Sequence, residues 1–299
     1  MLKLVEENKT GLTKEQWLAR FNLNWTVEKR DLYQQLSNGQ AGRIDHKAIV
    51  RSDTEQVLNV VTNRYTPIQN DQFYELLADA ENKGLIKGLN GGEFSGGGKT
   101  WVQAEFGEQA DINGNDPVKS RLLVANSHDG SFSFRTTLSP IRVVCMNTLI
   151  AAISHDVRLS FRHTESSKSN LDQLKVALKQ LNFSFHKLTE FYTQFARRSL
   201  NSNEVKVYFE TVLNIKGKPI EAQTDTELAR MTRLIQLFES GKGSELSRHT
   251  IWSAFNAVTE FTSHELDKDP TKRQEKLFFG QGAELNKRAM DTALTLLAG

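Results

Sequence analysis

Eight apolar residues between positions 171 and 195 recur at alternating spacings of three and four, without a break, over more than three heptads. They are Leu171, Leu174, Leu178, Leu181, Phe185, Leu188, Tyr192 and Phe195. This period predicts an α-helix of about 28 residues with one continuous apolar stripe. The stripe fits a helix laid across a sheet, and it also fits a helix packed on another helix of the same chain or of a second copy.

Residues on either side of position 166 follow different periods, which predicts an α+β fold. Before it, residues 122–125 and 131–136 read as strands joined by the turn Ser-His-Asp-Gly at 127–130, and Asn147 and Thr148 are suited to cap a helix that begins at Leu149. We therefore predict a mainly antiparallel sheet with interspersed helices over residues 1–165. Residues 166–299 are predicted to form a helical C-terminal region, packed on the sheet as a second domain or as part of a single one.

Composition limits the class of protein. Hydrophobic residues make up 38% and charged residues 25% of the chain, and no apolar run approaches the roughly 18 residues that a membrane span needs. The N-terminus lacks the apolar core of a secretory signal. The single cysteine, Cys145, is read as a small buried hydrophobe, with a catalytic thiol as the alternative. These features predict a cytoplasmic protein without a membrane partner.

Basic residues are concentrated in the middle of the chain although the net charge is only +2. Such a patch can neutralise phosphates, and it can equally be an ordinary solvated surface. Six residues are candidate DNA contacts: Arg64, Lys99, Arg135, Arg142, Arg158 and Arg162.

A second set of polar residues lies at predicted strand ends, namely Asn126, His128, Asp129 and Asn147. Three interpretations stay open for it: capping of the hairpin turn, recognition of a ligand, and a metal site completed by distant acids. The chain has no HExxH or CxxC spacing, so neither a metal nor a cofactor is predicted. The run Gly96-Gly97-Gly98-Lys99-Thr100 lacks the spacing of a phosphate-binding loop, because Glu93 stands where the first glycine is required.

Several segments carry a family resemblance: residues 51–54 (RSDT), 64–70 (RYTPIQN), 127–130 (SHDG), 140–149 (PIRVVCMNTL) and 252–265. In this order and over residues 25–299, the chain resembles the phage/plasmid-like protein family. The core of that family is a domain of unknown function found in phages, plasmids and other mobile elements. The resemblance implies a mobile-element origin.

The predicted order of hairpin, third strand and helix is also similar to the β-β-β-α core of single-strand annealing proteins. That similarity implies ATP-independent binding and annealing of single-stranded DNA in recombination, by a homo-oligomer with a basic groove. Two alternatives stay open. One is a metal-dependent nuclease or hydrolase that uses His128 and Asp129, and the other is a non-enzymatic interaction protein such as a host-defence antagonist. A non-enzymatic role is favoured.

Overall fold

The structure is a computed structural model that describes residues 12–132, 134–149 and 167–299, without the side chains of Phe73 and residues 167–174. The strands are β1 (Val27–Gln35), β2 (Ala41–Arg51), β3 (Val57–Val61), β4 (Lys87–Phe94), β5 (Lys99–Asp111), β6 (Pro117–Ser127), β7 (Arg135–Leu138), β8 (Ile141–Arg142) and β9 (Asn147–Thr148). The helices are α1 (Lys14–Arg20), α2 (Asn70–Asn82), α3 (Ser167–Arg197), α4 (Ser202–Leu213), α5 (Asp225–Ser240), α6 (Ile251–Glu260), α7 (Pro270–Phe279) and α8 (Gln281–Ala298).

The chain divides into two compact units. The first comprises Met1–Gly107, Leu122–Thr136 and Val157–Leu178, and the second comprises Glu108–Arg121, Thr137–Asp156 and Lys179–Gly299. The long strands β5 and β6 therefore contribute residues to both units. The domain boundary predicted at 165/166 falls among residues 150–166, outside the described residues, and stays a prediction.

The first unit holds a three-stranded antiparallel sheet of order β1-β2-β3. Its core contains Trp25, Val27 and Ile49. Helix α1 begins at a capping box in which Thr13 and Gln16 bind each other's backbone N–H groups, as the sequence Thr-x-x-Gln favours. A second sheet has the order β4-β5-β6-β8-β9, with β7 paired to β6.

The second unit is mainly helical. The apolar stripe predicted for α3, which we call the seam, is buried from Leu181 to Phe195. It packs on α6, since the ring of Tyr192 lies 4.7 Å from that of Trp252 and 5.7 Å from that of Phe255. All ten residues of α6 are buried. Helix–helix packing within the chain thus accounts for this part of the seam.

These elements confirm the predicted α+β class, with antiparallel sheets and a helical C-terminal region that contains one long helix. Two local expectations were wrong. The strand predicted at 131–136 begins only at Arg135, and Asn147 and Thr148 form the short strand β9 instead of a helix cap. The sequence Val-Arg-Leu-Ser-Phe at 157–161 also predicts a strand, but these residues lie outside the described part of the chain. No helix in the described part of the chain is long and apolar enough to cross a membrane.

Candidate nucleic-acid interface

In the first unit the structure brings together the segments that contain His128 and Asn70. Asn70 donates from Nδ2 to the Trp25 carbonyl at 3.3 Å, so its Oδ1 faces the imidazole as an acceptor, 3.1 Å from His128 Nε2. His128 therefore carries its proton on Nε2, and Nδ1 holds a lone pair. No hydrogen-bond partner for this buried Nδ1 exists among the described residues.

His128 is only 1% exposed, and its ring lies 5.3 Å from that of Trp25. Burial lowers the pKa of His128 to about 4, against the opposing effect of the Asp129 carboxylate. The imidazole is therefore neutral in the folded protein at pH 7.

This pKa predicts a pH-dependent stability. The full contribution of His128 is present above its unfolded pKa of 6.5, and it is lost as the pH falls towards about 4, because only the unfolded chain takes up the proton in that range. We expect the wild type to lose about 3 kcal/mol of unfolding free energy between pH 7 and pH 4 through this residue. Urea titrations of His128→Asn should lack this loss, whereas those of the exposed His46→Asn should retain it. Equal pH dependence in both variants would contradict the assignment.

The polar side chains around His128 bind mainly their own turn. Asp129 Oδ1 accepts from Ser127 Oγ at 2.7 Å and from the Ser131 N–H at 2.9 Å, and Asn126 Nδ2 lies 3.4 Å from the Ile68 carbonyl. Burial opposes ionisation of Asp129, but the hydrogen bonds from Ser131 and Ser127 outweigh it and lower its pKa. These contacts favour the turn-capping interpretation. Within the described ranges, no three His, Cys, Asp or Glu side chains are placed to hold a metal ion.

The glycine run at 96–98 is a tight turn between β4 and β5, and Lys99 starts a strand. Arg51 lies over the Trp25 ring at 4.3 Å and donates to Glu93 at 2.5 Å and to the Gly96 carbonyl at 3.1 Å. Gly97 has φ +100°, and a Cβ there would lie 3.0 Å from the Trp25 ring. The glycines thus allow close approach to the Arg51–Trp25 stack.

In the second unit Arg142 is an interior residue, which corrects its prediction as a phosphate contact. It is 1% exposed and pairs with the fully buried Asp116, with donor–acceptor distances of 2.7 Å from both Nε and Nη2. Trp252 Nε1 donates to the same carboxylate at 2.8 Å. Because Asp116 and backbone carbonyls surround the guanidinium, it is unavailable to DNA.

Asn147 also lies in this second cluster. Its Oδ1 accepts from His264 Nε2 at 3.1 Å, and its Nδ2 lies 3.4 Å from the Asn256 carbonyl. His264 Nε2 is also 3.1 Å from the Cys145 carbonyl. Burial raises the pKa of the Cys145 thiol, which matches the buried-hydrophobe interpretation. Segments more than 100 residues apart therefore meet here through their polar side chains.

The other candidate phosphate contacts are distributed as follows. Arg64 is exposed in the turn after β3. Lys99 lies 3.7 Å from the Asp129 carboxylate, and Arg135 covers the ring of Phe132 at 4.1 Å. Arg158 and Arg162 lie outside the described residues.

The outward side of α3 carries a basic and aromatic surface within the second unit. We call it the α3 face; it consists of the exposed residues Lys179, Phe183, His186, Lys187, Phe191 and Arg197. Phe183 is 60% and Phe191 37% exposed, and the Lys187 ammonium lies 4.6 Å above the Phe183 ring. Residues 179, 183 and 187 are spaced by four, so they lie on one face of the helix. This spacing is visible in the sequence, but the apolar period of the seam is the stronger pattern and the surface was not predicted.

Fold and contacts define an α+β protein whose distant sequence segments converge in two buried polar clusters. The chain belongs to the family described as Domain of unknown function (DUF932), whose model matches residues 57–290. No curated protein and no solved structure matches the chain.

Proposed function

We propose that this chain is a cytoplasmic single-stranded DNA-binding protein of a mobile element such as a phage or plasmid. In this proposal it acts without ATP in annealing during recombination, as a homo-oligomer. The observation that carries the DNA-binding part is the α3 face, where exposed phenylalanine rings alternate with cations.

The charge of the α3 face suits a phosphate backbone. The 19 residues of α3 from 179 to 197 contain only one acid, Glu190. The same stretch contains three permanently charged cations: Lys179, Lys187 and Arg197. At about 1.5 Å per residue this stretch is about 27 Å long. Lys179 and Arg197 are both exposed, so their charges are available to phosphates.

The rings favour single strands over a duplex. Phe183 and Phe191 present faces on which unpaired bases can stack, and such stacking contributes about 1–3 kcal/mol per base without sequence preference. A duplex hides those base faces and would meet the cations alone. In the first unit, the Arg135–Phe132 pair and the exposed Arg64 offer the same combination of ring and cation.

Mobile-element origin is supported by the segments that carry the resemblance. Residues of the 127–130 and 140–149 segments form the centres of the two buried clusters. The segments that carry the resemblance therefore contribute to the packing of the interior. The clusters themselves supply packing, and the proposed DNA contacts lie elsewhere.

The test is fluorescence anisotropy of labelled single- and double-stranded DNA over a range of salt concentrations. We expect Phe183→Ala to weaken single-strand binding about 5- to 100-fold, because one stacking platform is lost. Lys187→Ala should reduce the slope of log K against log salt by about 0.7. The matched controls are Tyr33→Ala, which removes a ring that is also 60% exposed, and Lys206→Ala on α4.

Each other outcome points to a different function. Unchanged affinity in Phe183→Ala and Lys187→Ala would overturn the α3 face as the interface. DNA cleavage that requires a divalent metal would favour the nuclease alternative. Absence of binding at low salt would favour the non-enzymatic interaction protein.

A further inference from the structure

We infer that the α3 face binds an extended strand of about five nucleotides, in which only every second base stacks on a phenylalanine ring. This inference rests on the proposed DNA binding and adds the conformation and the length of the bound strand. The feature that carries it is the order of four exposed side chains along the helix, which we call the α3 row: Lys179, Phe183, Lys187 and Phe191. Cation and ring alternate along this row.

The spacing of the α3 row matches that of an extended strand. Successive members are four residues apart, so they follow one another along the helix at about 6 Å. A strand of B-DNA advances by about 3.4 Å per nucleotide, and a strand whose bases are not stacked on each other can extend to about twice that distance. One nucleotide of an extended strand therefore spans one step of the row. Nucleotides that place a phosphate beside a lysine then alternate with nucleotides that place a base on a ring.

The position of Lys187 argues against a strand with continuously stacked bases. Phe183 and Phe191 are eight residues apart, about 12 Å along the helix, and a stacked strand would fill this distance with bases. Lys187 stands between the two rings in the row, and its ammonium lies 4.6 Å from the centre of the Phe183 ring. An exposed cation–π contact is weak, so a phosphate can draw this ammonium away and leave the ring to one base. A phosphate bound there would interrupt a continuous stack.

The extent of the basic stretch sets the length of the bound strand. Lys179 and Arg197 lie about 27 Å apart along α3. An extended strand covers this distance in four steps of about 6.8 Å, which corresponds to about five nucleotides. A stacked strand would need about nine nucleotides at about 3.4 Å per step. The two conformations therefore predict different site sizes.

The first experiment measures the affinity of the full chain for labelled thymidine oligonucleotides that grow by one nucleotide at a time. We expect the affinity to rise steeply up to about five nucleotides and only slightly thereafter, since further nucleotides extend past Arg197. A steep rise that continues to about nine nucleotides would overturn the extended conformation.

The second experiment places single abasic sites in the shortest oligonucleotide that binds fully, so that the strand cannot shift along the face. Abasic sites at two positions separated by one nucleotide should each lower the affinity about fivefold or more, because each removes a stacked base. An abasic site between them should have little effect. Phe183→Ala should abolish the loss at one of the two positions, and Phe191→Ala should abolish it at the other.

Glu190→Gln is the control for this pattern. It removes the one acid among the cations of residues 179–197, so it should tighten the binding of every oligonucleotide alike. Because it leaves both rings in place, the positions that are sensitive to an abasic site should stay the same.

The outcomes separate this inference from the proposed function. If no oligonucleotide binds, or if Phe183→Ala and Phe191→Ala bind as the wild type does, both are overturned. If both variants bind weakly but neighbouring abasic sites lower the affinity equally, the α3 face stands as the interface and the alternate stacking is wrong.

Discussion

Asp116→Ala should lower the unfolding free energy by about 3–5 kcal/mol, because it leaves the Arg142 guanidinium charged, buried and without its carboxylate. Both side chains are almost wholly shielded from solvent, with relative exposures of 2% and 0%. The Trp252 N–H loses its acceptor in the same variant. Urea denaturation followed by tryptophan fluorescence measures the effect.

Two comparisons separate the buried pair from charge removal in general. Asp291→Ala breaks an exposed ion pair with Lys287, four residues earlier on α8, and should cost about 0.5 kcal/mol or less. The double variant Arg142→Met with Asp116→Leu removes both charges together and should recover much of the stability lost in Asp116→Ala. The buried-pair interpretation is wrong if Asp116→Ala and Asp291→Ala cost the same.

Phe185→Ala should be about as damaging as loss of Asp116. Phe185 is fully buried on the seam of α3, and truncation of a buried phenylalanine costs about 3–5 kcal/mol. Leu181→Ala, one turn earlier and 1% exposed, should cost about 2–5 kcal/mol.

The matched control lies two residues from Phe185 on the same helix. Phe183 is 60% exposed, so Phe183→Ala should change the unfolding free energy by no more than about 0.5 kcal/mol. The same substitution is the one that should weaken DNA binding, so one variant separates surface function from core stability. If Phe183→Ala and Phe185→Ala lower the unfolding free energy by similar amounts, the assignment of Phe183 to the surface and Phe185 to the interior is wrong.

Elements with a strong local pattern were predicted well. The apolar residues of the α3 seam recur at helical spacing, and this period alone predicts the helix. The residues Ser52-Asp53-Thr54 likewise favour a turn, and they lie between β2 and β3 in the structure. Short elements were predicted less well. Asn147 and Thr148 have good capping side chains, yet their pairing with β8 and the contacts of Asn147 with His264 and Asn256 place them in a strand.

Asp116 and Arg142 mark the limit of reasoning from sequence. The sequence Asp-Ile-Asn-Gly-Asn-Asp-Pro at 111–117 is typical of a turn or an exposed loop, and an arginine at a strand end is typical of a surface cation. In the structure, Arg142 lies 26 positions along the chain from Asp116, and Trp252 lies 136 positions from it, yet all three meet in the interior. Burial of a charge is strongly unfavourable unless an opposite charge or hydrogen-bond partner is buried beside it. Which residue becomes that partner depends on how the whole chain folds.

The sequence by itself therefore determined the α+β class, the long helix and which of its faces is apolar, because the spacing of side chains along an element fixes the direction in which each one points. Only the tertiary structure decided which polar residues are buried with partners and which basic residues remain at the surface. Those outcomes depend on contacts between residues far apart in the chain, and the local pattern around Arg142 is compatible with either one.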